Sequence, residues 1–240
     1  MSSNSSNSPD TPLSRLPQFD PRQIPVAGVD SHLPPVPLAA LQPAALRQRF
    51  ASLPVWEPEL LAEKKFMDRA PMHASVLVPI VMREQPTVLL TERTMQLSTH
   101  SGQIAFPGGK VDDDDLDAAS TALREAQEEV GLDPAFVHVL GVMPHYVTGS
   151  AFIITPVVAL VQPDFTLSPN AFEVADVFEV PLAFLMNPAH HRRHVFEWEG
   201  VSREWFSMPY QDASSGQLKE RFIWGATAGM LRNFYRLLSA

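Results

Sequence analysis

The strongest hydrophobic pattern in the chain lies in residues 118–132, where small apolar side chains recur every three or four positions. This spacing puts them on one face of an α-helix, because a helix turns once in about 3.6 residues. The apolar face consists of Ala119, Ala122, Leu123, Ala126 and Val130. Glu125, Glu128 and Glu129 fall on the opposite side, and Gly131 follows as a helix stop. The pattern therefore predicts a helix that packs on a core through its alanines and holds three carboxylates at its surface.

Runs of β-branched and apolar residues predict strands on both sides of this helix. Before the helix they occupy residues 74–81 and 87–91, joined by a polar turn at 83–86. After it they occupy residues 136–146, 152–161, 177–180, 195–198, 205–208 and 221–224. Further helices are predicted at residues 43–52, 57–66, 181–187 and 226–238. Strands interleaved with helices predict an α+β domain whose helices cover both sides of a mixed sheet.

The N-terminal quarter differs in character, since 11 of the 23 prolines lie at or before Pro58. Proline lacks a backbone donor, so this stretch is predicted to add little to a sheet. We interpret residues 1–36 as a Pro-rich arm, disordered up to Leu16 and then extended over the domain or a partner subunit. Residues 37–72 are predicted to form a helical extension that could lie across a homodimer interface, and residues 73–240 the main domain.

Composition narrows the classes of function. A chain of 240 residues allows one domain with a sizeable core plus extensions. The net charge of −9 argues against binding nucleic acid through a basic face, but not against binding a nucleotide beside a metal. There is no cysteine, which excludes disulfides and a thiol nucleophile. Because the chain has neither a secretory signal nor an apolar run of the roughly 20 residues that span a bilayer, we expect a cytoplasmic protein without a membrane span.

Three glutamates within one helical turn repel one another, so they call for a cation. Arg124 can orient one of them, and the remaining charge suits a hard divalent ion, Mg²⁺ first and Mn²⁺ next. The alternative is an ordinary solvated acidic face, which is what most charge runs are. Residues 112–115, four aspartates, are interpreted as a solvated loop, with Asp115 or Asp117 favouring the start of the helix.

Residues 124–132 read REAQEEVGL, which resembles the second half of the Nudix box, G-x5-E-x7-R-E-U-x-E-E-x-G-U, with Ala126 at the first U position. In the first half, counted from Gly109, Asp115 stands where the box has Glu, and one extra residue separates it from Arg124. The resemblance to this superfamily implies a Nudix-type α/β/α sandwich. It also implies hydrolysis of nucleoside diphosphates linked to another moiety.

A second motif precedes the first. Residues 89–93 read LLTER and residues 102–109 read GQIAFPGG, which resembles the LLTxR…GxxxFPGG signature of the coenzyme A pyrophosphatase branch. Ser98 stands where that signature usually has Arg. Covering roughly residues 73–238, this resemblance implies a Mg²⁺- or Mn²⁺-dependent hydrolase of coenzyme A or acyl-coenzyme A that releases 3′,5′-ADP. The alternatives are hydrolysis of ADP-ribose or NADH, and a non-catalytic nucleotide-sensing module.

The chemistry of phosphoanhydride cleavage and the resemblance together give the candidate site residues. The metal ligands are Glu125, Glu128, Glu129 and the carbonyl of Gly109. Arg124 is expected to hold a ligand carboxylate by a bidentate bond. Glu173 is a candidate general base, and Glu128 is the competing candidate. Substrate binding is assigned to Arg93, which could hold the 3′-phosphate or the diphosphate of coenzyme A, and to His100, Gln103 and Gly108.

Two other patterns allow more than one interpretation. Residues 190–194, HHRRH, form a basic patch that could bind an anionic ligand. We favour a flexible surface turn instead, because unpaired charges are usually found in loops. The aromatic residues Phe152, Trp198 and Trp205 either stack on an adenine or, as is more common on strands, belong to the core.

Overall fold

A computed structural model describes residues 20–65, 69–95, 102–198 and 201–240, with only the backbone at 198 and 201. The helices are α1 (Pro43–Ala51), α2 (Ala118–Val130), α3 (Leu182–Leu185) and α4 (Gly225–Ser239). The strands are β1 (Val26–Val29), β2 (Met72–Val81), β3 (Thr87–Arg93), β4 (Ile104–Ala105), β5 (Gly108–Lys110), β6 (Val137–Val142), β7 (Tyr146–Val147), β8 (Phe152–Val161), β9 (Val174–Pro181), β10 (Arg192–Trp198), β11 (Val201–Asp212) and β12 (Lys219–Trp224). Within these residues, no helix is both long and apolar enough to cross a membrane.

The central sheet is mixed, as predicted. Strands β2 and β8 run parallel, in register from Met72 opposite Phe152 to Val81 opposite Val161. The sheet has the order β4-β3-β2-β8-β6, and β5 pairs with β2, β7 with β8 and β9 with β3, all antiparallel. Because β2 and β8 are buried on both faces, their sequences are almost continuously apolar rather than alternating.

Alternate residues of the central strands enter two separate cores. Leu77 and Val157 pack with the alanines of α2, of which Ala122 and Ala126 are buried, as the helical pattern predicted. On the other face, the core contains Val78, Ile80, Val158 and Leu160 together with Met230, Leu231 and Phe234 of α4. Helices therefore cover both faces of the sheet, and the predicted α/β/α sandwich is confirmed.

The segment before β2 joins the same core. Val36, Leu41 and Leu46 are buried in the cluster that also holds α4. The predicted helix at 43–52 is α1, with a proline at its first turn. Strand β1 adds to the edge of a second, antiparallel sheet of order β1-β10-β11-β12.

In the described part of residues 57–66 the predicted helix does not form. The side-chain oxygen of Asn233, in α4, accepts the backbone N–H groups of Glu59 and Leu60 at 2.9 and 3.0 Å. The N–H of Glu63 donates to a carbonyl in β7 at 2.8 Å. Because these donors bind α4 and β7, they are not available for a helical ladder.

The interpretation of residues 190–194 as a surface turn is wrong. His191 and His194 are buried, and β10 begins between them. Arg193 binds Asp30 at 2.9 Å, which ties the N-terminal segment to β10. Arg193 therefore belongs to an ionic network with Asp30 and Glu59, which sequence patterning missed because these partners lie 163 and 134 residues away.

His191 is expected to make stability depend on pH. Its Nε2 donates to the carbonyl of Leu185 at 2.7 Å, and its Nδ1 accepts from Nη1 of Arg232 at 3.2 Å, which requires a neutral ring. Burial lowers the pKa of His191 from 6.5 to about 4. Between pH 6.5 and about 4, His191 is therefore protonated in the unfolded chain but neutral in the folded protein. The free energy of unfolding consequently decreases as pH falls below 6.5. Between pH 7 and 5 this amounts to about 2 kcal/mol.

Urea unfolding at pH 7 and pH 5 measures this effect. In the variant His191→Gln, the difference between the free energies of unfolding at pH 7 and pH 5 should be smaller than in the wild type by about 2 kcal/mol. His138→Gln replaces an exposed histidine and serves as the control that keeps the original dependence. Equal pH dependence in the two variants would contradict the assignment.

Candidate active site

Helix α2 begins and ends where local chemistry dictates. Asp117 accepts the backbone N–H of Ser120 at 2.7 Å, and the Ser120 hydroxyl in turn accepts the N–H of Asp117 at 2.9 Å. This reciprocal cap satisfies two otherwise unpaired donors at the helix start. Gly131 closes the helix in a left-handed conformation, with φ of 71°. The glutamate-bearing turn is therefore fixed at both ends.

Asp115 does not cap the helix but binds Arg124. The two side chains make a bidentate pair, Nε to Oδ1 at 3.0 Å and Nη2 to Oδ2 at 2.9 Å. This pair holds the pKa of Asp115 well below its usual range. The remaining nitrogen, Nη1, contacts one oxygen each of Glu125 and Glu128, at 3.0 and 3.1 Å. The predicted bidentate bond from Arg124 to a ligand carboxylate is wrong, because that geometry is used for Asp115.

The three glutamates of α2 occupy three different environments. Glu129 is buried, where its Oε2 accepts the N–H of Gly108 at 3.0 Å and its Oε1 lies 3.7 Å from Nη1 of Arg93. Burial raises the pKa of Glu129 to about 7. Burial also raises the pKa of Glu125, against the effect of Arg124. The side chain of Glu128 is 61% exposed. The expectation that all three carboxylates stand at the helix surface is therefore wrong for Glu129.

The strand β5 brings two glycines against these carboxylates. A Cβ atom on Gly109 would overlap the carboxylate of Glu125. Gly108 has φ of 157°, and a Cβ atom there would overlap the backbone carbonyl of Ser75. Only glycine allows this approach. The motif PGG thus lets the sheet edge contact the acidic turn directly.

The residues present fit a divalent cation. Glu125 and Glu129 supply two carboxylates beside the Gly109 backbone, and such oxygens are what Mg²⁺ and Mn²⁺ prefer. Ser75 lies opposite Gly109 in the β2–β5 ladder. Its side chain therefore points toward the face of the sheet on which Glu125 lies. Its buried hydroxyl has no hydrogen-bond partner in the described residues.

Among the described residues, no three acidic, histidine or cysteine side chains are grouped so that they could hold a metal ion by themselves. Glu128, the third predicted ligand on α2, instead turns to Arg124. A Mg²⁺ ion commonly binds one or two carboxylates and fills its other positions with water and substrate phosphate. The pair Glu125 and Glu129 meets that requirement.

Glu173 lies in a loop fixed to the same turn. The N–H of Asn170 donates to the carbonyl of Glu129 at 2.8 Å, and the Asn170 side chain binds the carboxylate of Glu173 at 3.2 Å. The negative charge of Glu173 is among the causes that raise the pKa of Glu129. The structure therefore brings this predicted base to the Glu129 side of the site, while Glu128 stays on the exposed side.

A cavity of about 490 Å³ opens beside β5. Three of the predicted substrate-binding residues line it, namely Arg93, Gln103 and Gly108. His100, the fourth, and Ser98 lie outside the described residues. Arg93 both lines the cavity and approaches Glu129, so it connects the cavity with the acidic turn.

Sequence reasoning missed the far end of this cavity. Its lining includes Arg69 and Arg203, which lie outside the two motifs and carry no local signal. Of the aromatic candidates, Phe152 lines the cavity, whereas Trp205 is buried and stacks on His194 with ring centroids 5.5 Å apart. The side chain of Trp198 is not described. Trp224, which was not predicted, also lines the cavity.

Comparisons with known proteins show the family of this chain. The family model described as "NUDIX domain" matches residues 71–208. The "Uncharacterized Nudix hydrolase NudL" of Escherichia coli strain K12 is 41% identical over 160 residues, which cover 66% of this chain and 79% of that protein. The protein of the same name from Shigella flexneri is 39% identical over 170 residues, covering 69% and 84%.

Solved structures are also similar to this chain. The NUDIX domain of Shewanella oneidensis NrtR complexed with ADP ribose is 22% identical and covers 48% of this chain and 75% of its own, with a TM-score of 0.38. A MutT/nudix family protein from Enterococcus faecalis is 15% identical and covers 82% and 75%, with a TM-score of 0.45. Since the family model matches more than half of the sequence, the chain belongs to the Nudix hydrolase family.

Proposed function

We propose that this Nudix hydrolase cleaves the diphosphate bond of coenzyme A or acyl-coenzyme A. The products are 3′,5′-ADP and 4′-phosphopantetheine or its acyl form. The observation that supports this substrate is the convergence of the two LLTER and GQIAFPGG segments on one cavity. Arg93 from the first and Gln103 and Gly108 from the second line it together.

The residues that would hold the metal are Glu125, Glu129 and the carbonyl of Gly109, with Glu128 as an added ligand. When bound, Mg²⁺ or Mn²⁺ would neutralise charge on the diphosphate and lower the pKa of the attacking water. Side chains of the protein orient the ligands, bind the diphosphate and accept the proton of the attacking water.

Arg124 orients Glu125 and Glu128 through its Nη1, while Asp115 holds the other edge of the guanidinium. Arg93 positions the diphosphate, since a guanidinium fork suits phosphate oxygens. Glu173 accepts the proton of the attacking water as general base, and its anchored loop keeps it close to Glu129. Glu128 remains the competing base.

A substrate panel tests the proposal. The purified protein is incubated with Mg²⁺ or Mn²⁺ and with coenzyme A, acetyl-coenzyme A, ADP-ribose or NADH, and the products are separated by chromatography. We expect 3′,5′-ADP from the coenzyme A substrates at a kcat/KM at least about tenfold above that for ADP-ribose. Faster cleavage of ADP-ribose or NADH would favour a different Nudix specificity, and binding without turnover would favour a nucleotide sensor.

Two matched variants separate the candidate bases. If Glu173 is the base, Glu173→Gln should lower kcat roughly 10²–10⁴-fold with little change in KM, and Glu128→Gln should have a much smaller effect. The reverse order would assign the base to Glu128. The predicted homodimer and cytoplasmic location belong to this proposal, and the mass of the purified protein in solution tests the first.

A further inference from the structure

The far end of the cavity is built from the turn that precedes β8 and from two arginines. Arg69 lies over the ring of Phe152, with its Cζ 4.6 Å from the ring centroid, and its Nε donates to the carbonyl of Ser150 at 2.7 Å. A guanidinium has five N–H donors, so this bond uses one of them. The Arg69 guanidinium is therefore held over the Phe152 ring by a backbone hydrogen bond, and both residues line the cavity.

Arg203 reaches the same place from β11. Its Nη2 lies 3.5 Å from Oε2 of Glu63, and its side chain is 16% exposed. Glu63 is itself fixed by the hydroxyl of Tyr146 at 3.2 Å and by the N–H of Gly149 at 3.1 Å. Among the described residues that line this end of the cavity, two arginines therefore accompany one glutamate, and the sum of these three charges is positive.

The backbone of this turn is strained. Ala151 has φ of 63°, a left-handed conformation that non-glycine residues rarely adopt. The turn is held by bonds from the N–H of Ala151 to the carbonyl of Thr148, and from Met72 to the carbonyl of Ala151. Strain of this kind is concentrated at sites that bind ligands. It places the Ser150 carbonyl where it anchors Arg69.

This end lies two strands away from the glycine that contacts the acidic turn. Gly109 is opposite Ser75, and Ser75 is opposite Thr155, so two strand spacings separate β5 from β8. Phe152 lies three residues before Thr155. With about 4.8 Å between strands and about 3.3 Å per residue, the Cα atoms of Gly109 and Phe152 are roughly 14 Å apart. On this spacing we assign the group bound at Arg69 to a second anionic part of the substrate.

From this arrangement we propose that Arg69 and Arg203 form a subsite for a phosphomonoester on the nucleoside half of the substrate. The proposal rests on the proposed function, in which coenzyme A carries such a group as its 3′-phosphate. Planar guanidinium groups bind phosphate oxygens in a forked geometry that no other side chain offers. The subsite makes the enzyme select nucleotides with a phosphate in addition to the scissile diphosphate.

Binding of product fragments tests the subsite without any turnover. Isothermal titration calorimetry compares adenosine 3′,5′-bisphosphate with AMP, which lacks the 3′-phosphate. The full-length protein should bind the bisphosphate at least about tenfold more tightly, because hydrogen bonds to charged groups are among the strong ones. Arg69→Gln and Arg203→Gln should each remove most of that ratio and leave the affinity for AMP within about twofold.

Arg83 supplies a matched control. Its guanidinium also lies over a phenylalanine, Phe165, donates to a backbone carbonyl and pairs with a glutamate, but it is outside the cavity. Arg83→Gln should therefore keep the wild-type ratio. If Arg203→Gln does not fold because Glu63 loses this positively charged partner, the double variant Glu63→Gln/Arg203→Gln replaces both charges.

Kinetic assays distinguish an error in the proposed subsite from an error in the proposed function. Arg69→Gln should raise the KM for coenzyme A about tenfold and leave that for 3′-dephospho-coenzyme A unchanged. If coenzyme A is not cleaved but the binding ratio falls in the Arg69 variant, the function is wrong and the subsite stands. If Arg69→Gln and the Arg203 variant keep the wild-type ratio, or weaken both ligands equally, the subsite is wrong.

Discussion

Glu129→Gln is expected to lower kcat about 10³-fold and to raise the free energy of unfolding of the metal-free protein. The kinetic loss follows because Glu129 is the buried carboxylate beside Gly108, and charge stabilisation by a bound cation contributes several kcal/mol to the transition state. The amide keeps an oxygen that can accept the N–H of Gly108, so the local fold is preserved.

The stability gain comes from the raised pKa of Glu129. Its value of about 7, above the usual 4.5, means that ionising this group costs free energy in the folded protein. Stability is therefore lost as pH rises from 4.5 through 7, and at pH 8 the loss reaches up to about 3 kcal/mol. Replacement by neutral Gln removes that loss in the presence of a chelator.

Steady-state kinetics measures the loss of kcat. Urea unfolding in the presence of a chelator, at pH 5 and pH 8, measures the change in the free energy of unfolding. Glu84→Gln, at an exposed glutamate in the β2–β3 turn, is the matched control and should change neither quantity. An active Glu129→Gln variant, or one that is less stable than wild type at pH 8, would contradict the role assigned to this residue.

Gly109→Ala is expected to lower activity about 10²-fold with little effect on folding. The added Cβ would overlap the carboxylate of Glu125, which is the mobile end of a side chain and can move aside. Displacing a catalytic group by about 1 Å costs roughly 10² in rate. The free energy of unfolding should change by less than about 1 kcal/mol, since residue 109 is not in the left-handed region.

Two other glycines show whether the effect is local. Gly28→Ala places its Cβ in open space in β1 and should leave both activity and stability unchanged. Gly108→Ala would place its Cβ against the backbone of Ser75 at a φ that alanine rarely adopts, and should destabilise the protein. Metal titration of activity completes the test, because Gly109→Ala should require a higher Mg²⁺ concentration. Wild-type metal dependence in this variant would argue against Glu125 as a ligand.

Local pattern was sufficient for much of the fold. The buried alanines of α2 were predictable because helical spacing alone assigns them to one face. The strands β2 and β8 were predictable for a similar reason, since β-branched runs of that length rarely form anything else. Helix α4 was recognisable from its apolar face, although the structure starts it at Gly225 rather than Ala226.

What local pattern could not supply depends on contacts between distant residues. The pairing of Asp115 with Arg124 required knowing how the loop before α2 folds back, since an extra residue shifts the spacing. The buried positions of His191 and His194 depend on Arg232 and on the carbonyl of Ile24, which are far away in sequence. No periodicity encodes such pairs, because each side chain is satisfied only after the sheets have assembled.

The placement of hydrophobic residues outside the matched family segment matters for cloning. Residues 71–208 are recognised as the domain, yet Leu41 and Leu46 come before them and Met230 and Phe234 after them, all within one core. A recombinant fragment that contains only residues 71–208 would expose this hydrophobic core to solvent and is expected to aggregate into inclusion bodies. Vectors for crystallisation or screening should therefore keep the segment from β1 onward and the whole C-terminal helix.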